Sequence, residues 1–145
     1  MSDIKSELRK KGYLAYTNKG VSMLPLLRQD RDVMVIQAQS TGFRKNDAVL
    51  FQRDNGQYVL HRITKVKGDG LYWIVGDNCS RGELVREDQI LGVLSEVKRD
   101  GKTVKCTDAD YLRYVRSLPI RRIWVTTKQL AYGTMSKVYH SVLGR

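Results

Sequence analysis

Cysteine is scarce: the 145-residue chain has two, Cys79 and Cys106. They fit no metal-ligand spacing, and two thiols make no disulfide framework. Free thiols in a reduced, cytosolic setting are expected. No apolar run reaches the ~18 residues that a membrane-spanning helix needs. The opening MSDIKSELRKKGY lacks the apolar centre of a secretory signal. Internal repeats and low-complexity linkers are absent. Acidic residues are missing from the whole of Tyr111 to Arg145, where seven Lys and Arg occur. That stretch carries +7 of the net +11, so the basicity is mostly a property of the C-terminal end. Such a charge favours acidic partners, whether nucleic acid, anionic membrane or acidic peptide, without choosing among them. What is present is globular: 41% hydrophobic and 28% charged residues, in a length that suits one domain with a modest core.

The patterning is mostly that of strands. A short helix over Asp3 to Lys11 is expected first, with Ser2 or Asp3 as cap, Ile4 and Leu8 on one face and Gly12 at its end. Then VMVIQ (Val33 to Gln37), DAVLFQR (Asp47 to Arg53) and YVLHRITKV (Tyr58 to Val66) read as strands, the last two joined by a hairpin at Asp54-Asn55-Gly56. LYWIVGD (Leu71 to Asp77), ILGVLSEVKR (Ile90 to Arg99) and KTVKC (Lys102 to Cys106) follow, separated by Gly-Asp-Gly and Asp-Gly turns. The expected class is mainly β: a meander of five or six antiparallel strands curled into a small barrel or two packed sheets. Beyond Asp108 the pattern is helical, with breaks expected at Pro119 and Gly133. The chain therefore divides into a β-rich domain, 1–108, and a basic helical tail, 109–145.

Two residues stand out chemically. Ser22 lies in the stretch KGVSMLPLL, which is neither regular helix nor regular strand. Its apolar side chains, stiffened by Pro25, would exclude water and hold an extended peptide, with Met23, Leu24 and Pro25 as candidate substrate contacts. His61 falls between Val59 and Ile63 on one face of its strand. It is either a packed core histidine or a base in a dry pocket. Ser22, likewise, is either a turn residue or a nucleophile. A neutral imidazole can take a serine proton at cellular pH. Lys65 cannot replace it, because four residues of strand set it about 13 Å away.

The order of the motifs carries a resemblance. GVSMLP (20–25), VLHRI (59–63), IVGDN (74–78) and ILGVL (90–94) together resemble the catalytic core of the signal peptidase I superfamily, which includes the LexA-type self-cleaving repressors. The resemblance covers about Gly20 to Leu94. It implies a serine endopeptidase that cuts an extended peptide near small side chains and uses no cofactor or metal. Ser22 would be the nucleophile. VLHRI is similar to the histidine-type branch of archaea and the endoplasmic reticulum, so His61 would be the base. The acid is either Asp77, from the Gly-Asp-Asn element, or Glu83, which is better placed by position to orient the ring.

The chain also departs from that family. Gly20 stands where some members have a hydroxyl that helps hold the oxyanion. A short polar helix is expected where that family has a membrane anchor before the serine, and no DNA-binding domain is expected upstream. The tail offers a substitute anchor, with Ile123, Leu130, Tyr132, Met135, Val138, Tyr139 and Val142 set among basic residues. That suits a helix lying in the headgroup region at the inner face of the membrane. The alternative is a helix packed on the β domain with a solvated basic face. Two other functions stay open. One is a catalytically weak or inactive peptide-binding module of the same fold. The other is a nucleic-acid binder, although no stacking platform or recognition helix can be named for it.

Overall fold

The computed structural model describes the backbone of residues 3–143 and the side chains of residues 3–132. Ser2, and the side chains of Met135, Val138, Tyr139 and Val142, lie outside the described residues. The first element is helix α1, Ile4–Lys11, which buries Leu8 and ends at Gly12 with φ 77°. Asp3 is its N-cap but makes no side-chain cap bond; its carboxylate accepts from the Tyr58 hydroxyl instead.

Eight strands follow: β1 Tyr13–Thr17, β2 Val33–Ala38, β3 Ala48–Gln52, β4 Tyr58–Gly68, β5 Leu71–Val75, β6 Gly82–Arg86, β7 Ile90–Arg99 and β8 Lys102–Lys105. All pairings are antiparallel, in the order β1-β2-β7-β3-β4-β5-β6, with β8 on the second half of the β7 edge that β3 occupies first. The mainly β class is as expected. The meander is not, because β7 returns to lie between β2 and β3. Nor does the sheet close into a barrel, since its ends, β1 and β6, do not pair.

Turn chemistry fixes the hairpins. Asp69-Gly70 and Asp100-Gly101 have positive φ at both residues, which matches the twist of two-residue hairpins. At Asp54-Asn55-Gly56 only Gly56 is left-handed, and Arg53 N–H pairs with the Gln57 carbonyl. The loop therefore has three residues with a terminal glycine, the next commonest solution.

Alternating side chains feed two apolar clusters. Leu50 and Leu60 join Leu14, Met34, Ile36 and Leu94 in one. Val49, Phe51 and Ile63 join Tyr72, Ile74 and Ile90 in the other. Neighbouring residues of β3 thus point into opposite clusters, as a two-residue period requires.

Helix α2, Ala109–Leu143, runs without interruption through Pro119. The expected breaks at Pro119 and Gly133 do not occur. A proline inside a helix removes one hydrogen bond and costs about 3 kcal/mol. Here tertiary docking of the preceding turns offsets that cost. Leu118 and Tyr111 are buried. The Tyr111 hydroxyl accepts from Arg62 Nη1 at 2.9 Å, and the Tyr114 hydroxyl donates to Asp77 Oδ2 at 2.8 Å. Arg62 and Asp77, both nearly inaccessible, form a bidentate pair at 2.8 and 2.9 Å. The first half of the basic tail is therefore packed on the β domain.

Candidate active site

The turn carrying Ser22 is built by its surroundings more than by its own propensity. Gly20 adopts φ 78°, a left-handed conformation that side-chain-bearing residues rarely take. That explains the glycine where a hydroxyl residue was the alternative. Buried Asn18 spans the turn, donating through Nδ2 to the carbonyls of Gly20 (3.2 Å) and Leu27 (3.3 Å). Arg99 Nη2 donates to the carbonyls of Pro25 (2.8 Å) and Leu26 (3.1 Å) and to Asp32 (2.9 Å). Asp32 is fully buried. Burial alone would raise its pKa, but hydrogen bonds from Arg28 and Arg99 hold the carboxyl well below the usual range. Nothing in the one-dimensional pattern singled out Asn18, Asp32 or Arg99. The only available signal was the four-residue Arg28–Asp32 spacing.

The Gly-Asp-Asn element clamps this turn from the other side. Asn78 N–H donates to the Ser22 carbonyl at 2.8 Å, and Asn78 Nδ2 to the Val21 carbonyl at 3.1 Å. Asp77 N–H meets Met23 Sδ at 3.3 Å. Gly76 lies where the turn, the loop and β4 converge. A Cβ there would be 2.8 Å from the Ser22 carbonyl oxygen, 2.7 Å from Cys79 Sγ and 3.1 Å from His61 Cδ2. Ser22, His61 and Cys79 therefore share one small volume.

Ser22 and His61 line the same cleft, of about 730 Å³. Its apolar wall includes Leu14, Val21, Met34, Ile36, Leu50 and Leu60. No hydrogen bond joins Ser22 Oγ to His61 among the described residues. Met23, proposed from sequence as a substrate contact, is 1% exposed and belongs to the core. Leu24 is half-buried and Pro25 exposed, and neither is among the residues that line this cleft. The apolar residues of the turn that flank Ser22 thus divide, Val21 facing the cleft and Met23 the interior. Lys65 is exposed on the far half of β4.

The two acids have different surroundings. Both oxygens of Asp77 are taken by Arg62 and Tyr114, which makes it a structural anchor. Glu83 Oε1 is 3.9 Å from His61 Nδ1. Both Glu83 oxygens also accept from Arg53, at 2.6 and 3.1 Å. Arg53 is thus a further residue at the site that the sequence did not mark. His61 is 8% exposed, and burial lowers its pKa from the ordinary imidazole value. The Glu83 and Asp77 charges push it up, Arg53 and Arg122 push it down, and the net shift is downward. A neutral imidazole at pH 7 follows. Cys79 and Cys106 are free thiols, and burial pushes Cys106 up to about 11.

A Gly76→Ala substitution tests this convergence. Its methyl group must displace the Ser22 carbonyl, Cys79 or the histidine ring. A misplacement of about 1 Å at a reacting centre costs roughly 100-fold in rate. The expected outcome is a loss of that order in labelling of Ser22 by a serine-reactive probe, in protein that still unfolds cooperatively. Unchanged labelling would separate Gly76 from the site.

No family model matches the chain, and no curated protein matches it.

Proposed function

We propose that the protein is a serine endopeptidase in which His61 activates Ser22. The observation that carries this reading is the gathering of the Ser22 turn and the His61 strand around Gly76, at one apolar cleft. The resemblance to the histidine-type signal peptidases supports it from the order of the motifs. In the proposed reaction a peptide or precursor protein lies extended along the cleft. Ser22 Oγ attacks the carbonyl carbon, and His61 takes the hydroxyl proton, then delivers it to the leaving amine. Glu83 orients the ring and Arg53 holds Glu83. With Gly20 in place of a hydroxyl residue, backbone N–H groups of the turn carry the oxyanion. The chemistry uses no cofactor. Burial of His61 keeps it neutral, the form a base requires.

A second reading, a peptide-binding module with a weak dyad, is favoured by one observation: Glu83 is committed to Arg53 and stands 3.9 Å from His61. A fluorophosphonate probe decides between the two. The enzyme reading expects stoichiometric labelling of the wild type at Ser22 and none in Ser22→Ala. Absence of labelling in folded wild-type protein would favour the binding module.

A further inference from the structure

Helix α2 has two different faces. One is spent on the β domain: Tyr111, Tyr114, Leu118 and Arg122 recur at helical spacing and pack on or bond to Arg62, Asp77 and Gly76. The opposite face is apolar and bare. Ile120, Ile123 and Trp124 are 65, 67 and 73% exposed. They follow the i, i+3, i+4 spacing, so they form one continuous patch. Cations surround it: Arg113 and Arg116 precede it, and Arg121 and Lys128 flank it, all on the exposed side of the helix. Arg113 pairs with Asp110 at 3.2 Å, and no acidic residue occurs from Tyr111 onward to offset the other three. Among the described residues no helix is long and apolar enough to cross a membrane.

We propose that this outward face docks on an anionic lipid surface, with Ile120, Ile123 and Trp124 entering the headgroup boundary and Arg113, Arg116, Arg121 and Lys128 meeting lipid phosphates. The combination selects the occupant. Large aliphatic side chains gain by leaving water only where an apolar phase receives them, and nucleic acid offers phosphates but no such phase for Ile120 and Ile123. A second copy of the same face would bring two predominantly cationic helices together, with Asp110 the one acid in each, and like-charge repulsion opposes that. Anionic lipid supplies both an apolar phase and negative charge, the pairing that interfacial helices use. The structure also re-sorts the tail residues that the sequence pattern grouped. Ile120 and Trp124 join Ile123 on the docking face, whereas Leu130 lines the opening beside His61 and Glu83. Thr126 and Gln129 line it too, so the helix that docks also forms a wall of the cleft. The inference does not depend on the serine chemistry.

The test uses the full chain with a Trp73→Phe background, which leaves Trp124 as the only tryptophan. Vesicles of phosphatidylglycerol and phosphatidylcholine are compared with pure phosphatidylcholine, by co-sedimentation and tryptophan emission. Expected are binding to the anionic vesicles with a blue shift of Trp124, weak binding to neutral ones, and release by salt. Neutralising Arg113, Arg116 and Lys128 to Gln should weaken partitioning on the order of 100-fold, at about a factor of five per charge. Ile120→Ser/Ile123→Ser should abolish the blue shift, with thermal unfolding unchanged because both side chains are solvent-exposed. Equal binding to both vesicle types, no binding at low salt, or binding to an oligonucleotide without binding to lipid would each overturn the proposal. So would a concentration-dependent dimer in sedimentation velocity that the Ile120→Ser/Ile123→Ser variant loses.

Discussion

Asp77→Ala is expected to destabilise the protein by about 3–5 kcal/mol, a large share of the stability of a domain this size. The carboxylate is almost fully buried and holds Arg62 by two hydrogen bonds. Removing it leaves a guanidinium inside the protein without its counter-charge. It also frees the Tyr114 hydroxyl, so the docking of α2 weakens at the same time. Urea unfolding followed by circular dichroism measures the effect. Replacing both partners, as Arg62→Met with Asp77→Leu, should recover much of the loss, because the expensive state is the unpaired charge rather than the missing pair. A stable, fully folded Asp77→Ala protein that has lost activity would instead make Asp77 part of the chemistry.

Ser22→Ala and His61→Ala are each expected to lower peptide cleavage by roughly 10³-fold or more. Groups that act as a unit fail together, so the double variant should be little worse than either single one. Glu83→Gln should cost less, since the amide oxygen can still accept from Arg53 and the packing around His61 still holds the ring. Lys65→Ala should change little, because Lys65 is exposed on the far half of β4. The readout is kcat/KM on a peptide with small side chains, together with the unfolding midpoint of each variant. If the losses in Ser22→Ala and His61→Ala simply add, the two residues do not act as one unit.

The sequence was most legible where a residue's own chemistry dictated the outcome. Asp-Gly pairs placed two hairpins, β-branched runs placed six strands, and Gly12 ended α1 with a left-handed φ. It was least legible where pairing or docking decided. In β1 only Leu14 is buried, with Tyr13 and Tyr16 exposed, and in β6 only Val85 is buried, so neither segment showed a strong alternating pattern. They are strands because β2 and β5 offer an open edge. The insertion of β7 between β2 and β3 is a long-range pairing with no local signature. Pro119 read as a helix stop because the compensating contacts of Tyr111, Tyr114 and Leu118 are tertiary. At the site, Ser22, His61 and Glu83 could be named from motif order. Arg53, Asn18 and Arg99 act through contacts across 30 to 74 residues of chain or through backbone carbonyls, which spacing does not reveal. The burial of Met23 had no sequence signal, because neighbours in a turn can face opposite ways, here Met23 to the interior and Val21 to the cleft.

The pH dependence of Ser22 labelling by a fluorophosphonate bears most directly on the proposal that His61 activates Ser22. A histidine base works only when neutral, and burial lowers the pKa of His61 below its ordinary 6.5. Labelling should therefore rise as pH increases through a single ionisation with its midpoint below 6.5, stay level through pH 7 to 8, and lose that step in His61→Ala. A rate that keeps climbing toward a lysine-like midpoint near ~10, or a wild-type profile retained in His61→Ala, would contradict the assignment of His61 as the base.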